Sequence, residues 1–221
     1  DLVPLKTCSY DCIYCQVGRT TNKIAVPAEL NPVEEVLRDL EERLRTTSPD
    51  VVTFSGSGEP TLHSGIGRVI ERVKALTDVR VAVLTNGSLL FRPEVRERIV
   101  SADLVMPTLC TVFEKTFRRI HRPHADLRLA EIVEGVERFR EMFPGELALE
   151  VLLLRGVNDT EEELRGLVDA FGRIGPDRIQ LNTVVRPPSS SEAVALDRER
   201  LEEIRGFLGK RAEIIADPRL G

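Results

Sequence analysis

Three features are absent from this sequence of 221 residues, and each absence argues against a class of protein. No run of about eighteen apolar residues occurs, so no membrane-spanning helix is predicted. The first residues, DLVPLKT, lack a basic segment followed by an apolar one, so no secretory signal is visible. Positive charge is not in excess, because 31 Lys and Arg stand against 36 Asp and Glu; the net charge of −5 disfavours nucleic acid as a partner of this domain alone.

Cysteine is also scarce, with four in the chain. Three of them share one loop, which does not suit a disulfide framework and favours a reducing compartment. Charged residues make up 30% and hydrophobic residues 42%, as in ordinary soluble globular proteins. The length suits one large domain. We therefore predict a single cytoplasmic core domain over residues 1–221, and the start at Asp1 leads us to expect extensions outside it at the N-terminus and the C-terminus.

The three clustered cysteines are Cys8, Cys12 and Cys15. A tetrahedral zinc site usually takes four protein ligands, whereas three thiolates leave one metal position open. A [4Fe–4S] cluster held by three cysteines has one iron free for a ligand that is not protein. The residues alone leave three interpretations: an iron–sulfur cluster, a zinc ion completed by the distant Cys110, or thiols that cluster by coincidence.

Apolar periodicity along the chain predicts alternating strands and helices. Strands are predicted at 2–5, 51–54, 79–84, 103–107, 148–154 and 178–183, with an edge strand at 213–215. Helices are predicted at 33–45 (capped by Asn31), 65–76, 93–100, 112–120, 128–142, 161–174 and 197–208. Strict alternation implies an α/β fold with a parallel sheet and right-handed crossovers, here a partial (β/α)6 barrel. The segment 187–191 is the expected flexible loop.

With this loop and this order of elements, the sequence resembles the radical S-adenosylmethionine (SAM) enzymes. The resemblance rests on the C-x3-C-x2-C loop, with Tyr14 before its last cysteine, and on the turn Gly56-Ser57-Gly58-Glu59-Pro60 after the second predicted strand. In that family SAM chelates the open iron of a [4Fe–4S] cluster, and one electron cleaves SAM to a 5′-deoxyadenosyl radical that abstracts hydrogen from substrate. The resemblance implies an oxygen-sensitive enzyme with these two cofactors and an external one-electron reductant of flavodoxin or ferredoxin type.

The same resemblance implies which residues contact the cofactors. Glycines allow close backbone approach, and an acceptor such as Glu59 suits the amino group of SAM. The turn at 85–87 resembles the stretch that contacts ribose and carboxylate, and Val157 lies in the adenine-contacting segment. Arg122 is a candidate for a carboxylate or phosphate. The implied metal ligands are Cys8, Cys12 and Cys15, and the implied cofactor-binding residues are Tyr14, Gly56, Ser57, Gly58, Glu59, Thr85, Asn86, Arg122, Val157 and Asn182.

Most of these residues also have a purely structural interpretation. Tyr14 can pack under the loop, and the Asn86-Gly87 pair suits the backbone of a turn. The stretch 158–160 can cap the next helix, and Asn182 can simply terminate its strand. His63 either caps a loop or contacts substrate.

Cys110 directly follows the predicted strand 103–107, where the resembling proteins usually carry aspartate. We predict a catalytic role, because a thiol there can donate a hydrogen atom to a substrate radical, bind substrate covalently or ligate a metal. The alternative is a small buried hydrophobe.

Within the superfamily, the stretches 15–21, 55–63, 117–124 and 180–188 resemble the iron–sulfur oxidoreductase group that includes the wyosine-forming tRNA enzyme. That enzyme carries a second cysteine set, which this sequence lacks, and the negative net charge also argues against a tRNA reaction. Two alternatives stand beside an unidentified substrate. One is a glycyl-radical activase that acts on a protein partner, and the other is a non-catalytic electron-transfer or zinc-binding module.

Overall fold

A six-stranded parallel sheet organises the molecule, whose computed structural model describes residues 1–215. Two short parallel strands precede it and flank the cysteine loop, β1 (Thr7–Cys8) and β2 (Asn22–Lys23). The main sheet follows chain order, and each neighbouring pair is parallel. Its strands are β3 (Val51–Phe54), β4 (Arg80–Thr85), β5 (Leu104–Pro107), β6 (Glu146–Leu152), β7 (Arg178–Asn182) and β8 (Ala212–Ile214).

Helices precede this sheet and connect every pair of its successive strands. They are α1 (Val33–Thr46), α2 (Ile66–Leu76), α3 (Pro93–Ile99), α4 (Glu114–His121), α5 (Leu129–Met142), α6 (Glu161–Ile174) and α7 (Arg198–Leu208). The strands β4 and β6 are buried over most of their length, as in parallel sheets covered on both faces. The predicted partial (β/α)6 barrel is confirmed. No helix within residues 1–215 is long and apolar enough to cross a membrane.

The first predicted strand, 2–5, is wrong. Leu2 and Val3 are buried in the core, but the segment pairs with no strand of the sheet. At Lys6 the backbone adopts φ +61, a left-handed conformation that few residues other than glycine take and that interrupts extended structure. The apolar run therefore reflects packing, and β8 supplies the sixth strand. The structure also places β6 two residues earlier than predicted.

The two ends of α6 lie where the sequence predicts them. Thr160 Oγ1 accepts a hydrogen bond from Glu163 N at 3.3 Å, and Gly175 takes φ +64 just after the helix. The predicted cap of α1 is wrong, because Asn31 Nδ2 donates instead to the carbonyl of Asp1 at 2.7 Å. Pro32 occupies the cap position.

Candidate functional site

The cysteine loop is anchored by the end of α4. The main-chain N–H groups of Asp11 and Ile13 donate to the carbonyls of His121 and Ile120, both at 2.9 Å, and His124 N donates to the carbonyl of Ser9 at 2.8 Å. Arg122 takes φ +42 and turns the chain out of the helix at this point. The protein's own backbone hydrogen bonds therefore fix the loop.

A second anchor comes from the segment predicted to be flexible. Ser189 Oγ donates to the carbonyl of Cys12 at 2.8 Å, and Ser190 N donates to the carbonyl of Ile13 at 3.0 Å. The neighbouring Arg186 donates to Gln16 Oε1 at 2.6 Å. These bonds tie the 187–191 segment to the cysteine loop, and its flexibility stays a prediction.

The three predicted metal ligands line one cavity of about 80 Å³, together with the Gly56–Gly58 turn. Burial raises the pKa of Cys8 to about 12, with the nearby Glu59 adding to the shift, and burial raises the pKa of Cys12 well above its usual value. The thiols of Cys8 and Cys12 are therefore protonated in the absence of a metal, which must displace these protons to bind. Cys110 does not line this cavity, and residues 1–215 contain no set of three metal-ligating side chains placed for a single ion. The donor set thus suits a thiolate-held cluster better than the zinc site considered from the sequence.

Hydrogen-bond donors surround two of these sulfur atoms. Cys8 Sγ accepts from Asn86 Nδ2 at 3.4 Å and from Tyr10 N at 3.5 Å. Cys12 Sγ lies 3.3 Å from His121 Nδ1. Burial lowers the pKa of His121 to about 3, so its ring is neutral. No local sequence signal points to this contact, because the histidine lies 109 residues from its cysteine.

The Gly56–Gly58 turn lies against β1, the strand that contains Cys8. A Cβ atom at Gly58 would overlap the carbonyl oxygen of Thr7, so only glycine fits this approach. The next amide, Glu59 N, donates to that same carbonyl at 3.0 Å. Gly56 adopts φ +142, which side chains other than hydrogen rarely allow. Two glycines predicted from the resemblance are thus required by the local backbone.

The carboxylate of Glu59 is buried and largely engaged within the chain. Oε1 accepts from Thr61 N at 3.0 Å, from Thr61 Oγ1 at 2.6 Å and from Thr85 Oγ1 at 2.6 Å, while Oε2 accepts from Asn86 N at 2.7 Å. Burial raises the pKa of Glu59 even though these bonds favour the charged form. A carboxylate offers about four acceptor sites, so Oε2 alone keeps room for another donor. Glu59 therefore fastens the turn after β3 to the end of β4.

A second cavity of about 390 Å³ opens at the carboxyl ends of β6 and β7. Tyr14, Asn182 and Glu150 line it, and Cys15 and Gly56 line both cavities. Glu150 Oε2 accepts from Thr108 Oγ1 at 2.8 Å, and its Oε1 accepts from Asn182 Nδ2 at 2.9 Å. No motif in the sequence marks Glu150, which lies inside the largely apolar strand β6. Two cavities thus share lining residues beside the cysteine loop, where the βα order predicts a site.

Six predicted residues line neither cavity. Glu59, Thr85 and Asn86 lie in the hydrogen-bonded turns described above. Cys110 and Val157 pack in an apolar cluster that includes Ile13, and burial raises the pKa of Cys110 to about 12. The Arg122 guanidinium pairs with Glu192 at 3.1 Å, so the structure does not bring it to the cysteines.

Two further polar residues have structural roles. Asn158 Nδ2 donates to the carbonyl of Cys110 at 2.9 Å, and its Oδ1 accepts from Leu154 N at 2.7 Å. His63 is fully buried, with Nε2 2.7 Å from the Asn31 carbonyl and Nδ1 accepting from Gly65 N at 3.0 Å. His63 thus fastens a loop, which is the structural alternative considered for it.

Comparison with known proteins identifies the family. The family model described as the radical SAM superfamily matches residues 2–168. The chain therefore belongs to the radical SAM superfamily, whose members are enzymes that use a [4Fe–4S] cluster and SAM. The predicted superfamily, the enzymatic nature of the protein and its two cofactors are confirmed.

Individual relatives are longer than this chain. A UPF0026 protein of Methanocaldococcus jannaschii is 40% identical over 221 residues, which cover 99% of this chain and 68% of the relative. A protein of Brachyspira hyodysenteriae named GTPase Obg is 39% identical over 218 residues, which cover 98% of this chain and 32% of that protein. Among solved structures, TYW1 with a lysine–pyruvate adduct aligns with a TM-score of 0.65 and 19% identity over 91% of this chain and 69% of that one. That likeness shows the fold alone.

Proposed function

We propose that this protein holds a [4Fe–4S] cluster on Cys8, Cys12 and Cys15 and uses it with SAM to abstract hydrogen from a substrate. The observation that supports the proposal is one cavity lined by all three cysteines and by the glycine turn, next to a larger cavity at the ends of the strands that Cys15 and Gly56 also line. When bound, the cluster and SAM supply a one-electron cleavage that generates the 5′-deoxyadenosyl radical. The chain itself binds, orients and shields these groups.

The cysteine side of the site is built to keep thiolates in place. Asn86 Nδ2 and the main-chain N–H of Tyr10 donate to Cys8 Sγ, which stabilises negative charge on that sulfur. The buried Ile13 and the ring of Tyr14 flank Cys12 and Cys15 in the loop and limit the access of water. An external one-electron reductant, of flavodoxin or ferredoxin type, supplies the electron.

The SAM side of the site uses the turns after the strands. The amino group of SAM requires hydrogen-bond acceptors. The remaining acceptor position on Glu59 Oε2 and the carbonyl groups of the turn that contains Ser57 supply them. Asn86 and Thr85 hold this turn, so their contribution to SAM binding is largely through Glu59. Asn182 lines the larger cavity and suits the adenosine part of SAM, while Val157 packs in the apolar cluster with Ile13.

The proposal extends to the boundaries of the domain and to the entry of substrate. In this proposal residues 1–221 belong to one core domain. Substrate approaches the radical-bearing 5′ carbon of the deoxyadenosyl group through the larger cavity, past Glu150 and Arg186. Because the chain spans 68% and 32% of the two relatives described above, sequence beyond the core is available in such proteins to shape substrate choice.

Anaerobic purification and reconstitution test the proposal. The wild-type protein should be brown, absorb broadly near roughly 400 nm, and contain about four irons and four sulfides per chain. With dithionite and SAM it should release 5′-deoxyadenosine. Replacing Cys8, Cys12 or Cys15 by Ala should abolish both properties, whereas the matched control Cys110→Ala should keep the cluster. A colourless zinc-loaded protein, or a cluster that survives the loss of Cys12, contradicts the proposal.

A further inference from the structure

We propose that His121 is a positioning residue that donates its Nδ1–H to Cys12 Sγ and thereby raises the reduction potential of the cluster. The inference rests on the proposed function in one respect, that Cys12 is a cluster ligand. Through this hydrogen bond, the last residue of α4 sets how readily the cluster accepts the electron that is used to cleave SAM.

The contact between the two side chains carries the inference. His121 Nδ1 lies 3.3 Å from Cys12 Sγ, within the range of hydrogen bonds to sulfur. The same histidine accepts a hydrogen bond from Asp11 N through its carbonyl at 2.9 Å. One residue therefore holds the backbone of the cysteine loop on one side of Cys12 and its sulfur atom on the other.

Aromatic side chains hold the imidazole in this orientation. Its ring centroid lies 4.9 Å from that of Tyr10, 5.4 Å from that of Phe117 and 5.8 Å from that of Tyr14, which meets it edge to face at 81°. The side chain is 2% exposed. A ring enclosed in this way does not need to reorganise when the charge on the sulfur changes, which is the property of a tuned donor.

The chemistry of the ligand fixes the direction of the bond. An iron-bound cysteine thiolate has lone pairs and no proton, so Nδ1 must carry the hydrogen. Donors to the sulfur ligands stabilise the reduced form of an iron–sulfur cluster, which carries one more negative charge, and so raise its potential. Cys8 receives an amide and a main-chain N–H at 3.4 and 3.5 Å, whereas Cys12 receives a shorter contact from a buried ring.

A redox titration followed by electron paramagnetic resonance tests the inference on the reconstituted protein. His121→Phe keeps an aromatic ring and removes the donor, and the control Phe117→Leu loosens the same aromatic group without touching a thiol. We expect a more negative midpoint potential for His121→Phe, a wild-type potential for Phe117→Leu, and full iron content in both. His121→Asn, which retains a side-chain N–H, should recover part of the shift. An unchanged potential in a fully loaded His121→Phe protein overturns the inference.

A second measurement needs no variant of His121. The chain contains three histidines. In wild-type protein labelled with ¹⁵N-histidine, pulsed electron paramagnetic resonance of the reduced cluster should detect a weak coupling to one histidine nitrogen, and His124→Gln should retain it. A reduced cluster without ¹⁵N coupling overturns the inference while leaving the proposed function intact. A wild-type protein that binds no cluster contradicts the proposed function itself.

Discussion

Thr85 Oγ1 donates a hydrogen bond of 2.6 Å to Oε1 of Glu59, and this bond joins the last residue of β4 to the turn after β3. The same hydroxyl accepts from Gly87 N at 3.1 Å. Because Glu59 is buried, its charge depends on such donors in place of water. The two turns that border the cysteine loop are therefore one hydrogen-bonded unit.

Removing the Thr85 hydroxyl should weaken this unit. Thr85→Val keeps the shape of the side chain but deprives a buried carboxylate of a donor, so we expect the free energy of unfolding to fall by about 1–3 kcal/mol. Urea unfolding of the cluster-free protein measures the change. Thr85→Ser keeps the hydroxyl and should lose less. Equal losses in the two variants would show that the methyl group, and not the hydrogen bond, stabilises this position.

Replacing Gly58 by a residue with a Cβ atom should displace β1. In Gly58→Ala the new Cβ overlaps the Thr7 carbonyl, so we expect a loss of roughly 1–3 kcal/mol in unfolding free energy and a lower iron content after reconstitution. Gly172→Ala is the matched control, since Gly172 lies in α6 with nothing within 4 Å of an added Cβ. That substitution should stabilise the helix by about 0.5–1 kcal/mol. Full iron content in Gly58→Ala would contradict the required close approach.

The role of Cys110 stays a prediction that one variant can decide. If its thiol donates a hydrogen atom to a substrate radical, Cys110→Ser should abolish product formation while SAM cleavage continues. Because Cys110 is 1% exposed and burial raises its pKa to about 12, the thiol should also react slowly with alkylating agents in the folded protein. Product formation at the wild-type rate would leave Cys110 as a residue of the apolar cluster.

The cluster-free protein should lose stability in mild acid through His121. Burial lowers the pKa of this histidine from 6.5 to about 3, so the folded state keeps it neutral while the unfolded chain binds a proton below pH 6.5. Above pH 6.5 the histidine is neutral in both states and adds no pH dependence to the free energy of unfolding. Below pH 6.5 this histidine lowers the free energy of unfolding by about 1.4 kcal/mol for each pH unit as pH falls toward 3. Burial raises the pKa of Glu59, which gives the opposite slope in wild type and variant alike.

Urea unfolding at pH 7.5 and pH 5.5 measures this dependence. The decline between the two values should be smaller in His121→Phe than in wild type, and Phe117→Leu, which removes no titratable group, should keep the wild-type decline. The same decline in all three proteins would show that His121 is accessible to protons in the folded state.

Local signals in the sequence were sufficient for several elements. The bounds of α6 follow from its apolar periodicity, with Thr160 as a candidate cap. The glycines at 56 and 58 were predicted from the family resemblance, and the structure shows that the local backbone requires them. The segment 2–5 misled the prediction because an apolar run looks the same whether it pairs in a sheet or packs as a loop. The positive φ of Lys6, which distinguishes the two cases here, has no sequence signature.

The remaining features of the site depend on register and distance along the chain. Two of the hydrogen bonds to Glu59 come from Thr85 and Asn86 at the end of the adjacent strand. The hydrogen bonds of Glu150 with Thr108 and Asn182 likewise join residues of three neighbouring chain segments. Neither set is visible until the strands are aligned. His121 illustrates the same limit, because its contact with Cys12 follows from where α4 ends in space.

The anchoring of the cysteine loop has a consequence for biosynthesis. Cys12 leaves the ribosome 109 residues before His121 and 177 residues before Ser189, the residues that hold its sulfur atom and its carbonyl. Since a chain is synthesised from its N-terminus, the cysteines are translated before the residues that hold their loop. We therefore expect the loop to reach its final form, and the cluster to be inserted, only after Ser189 has been translated.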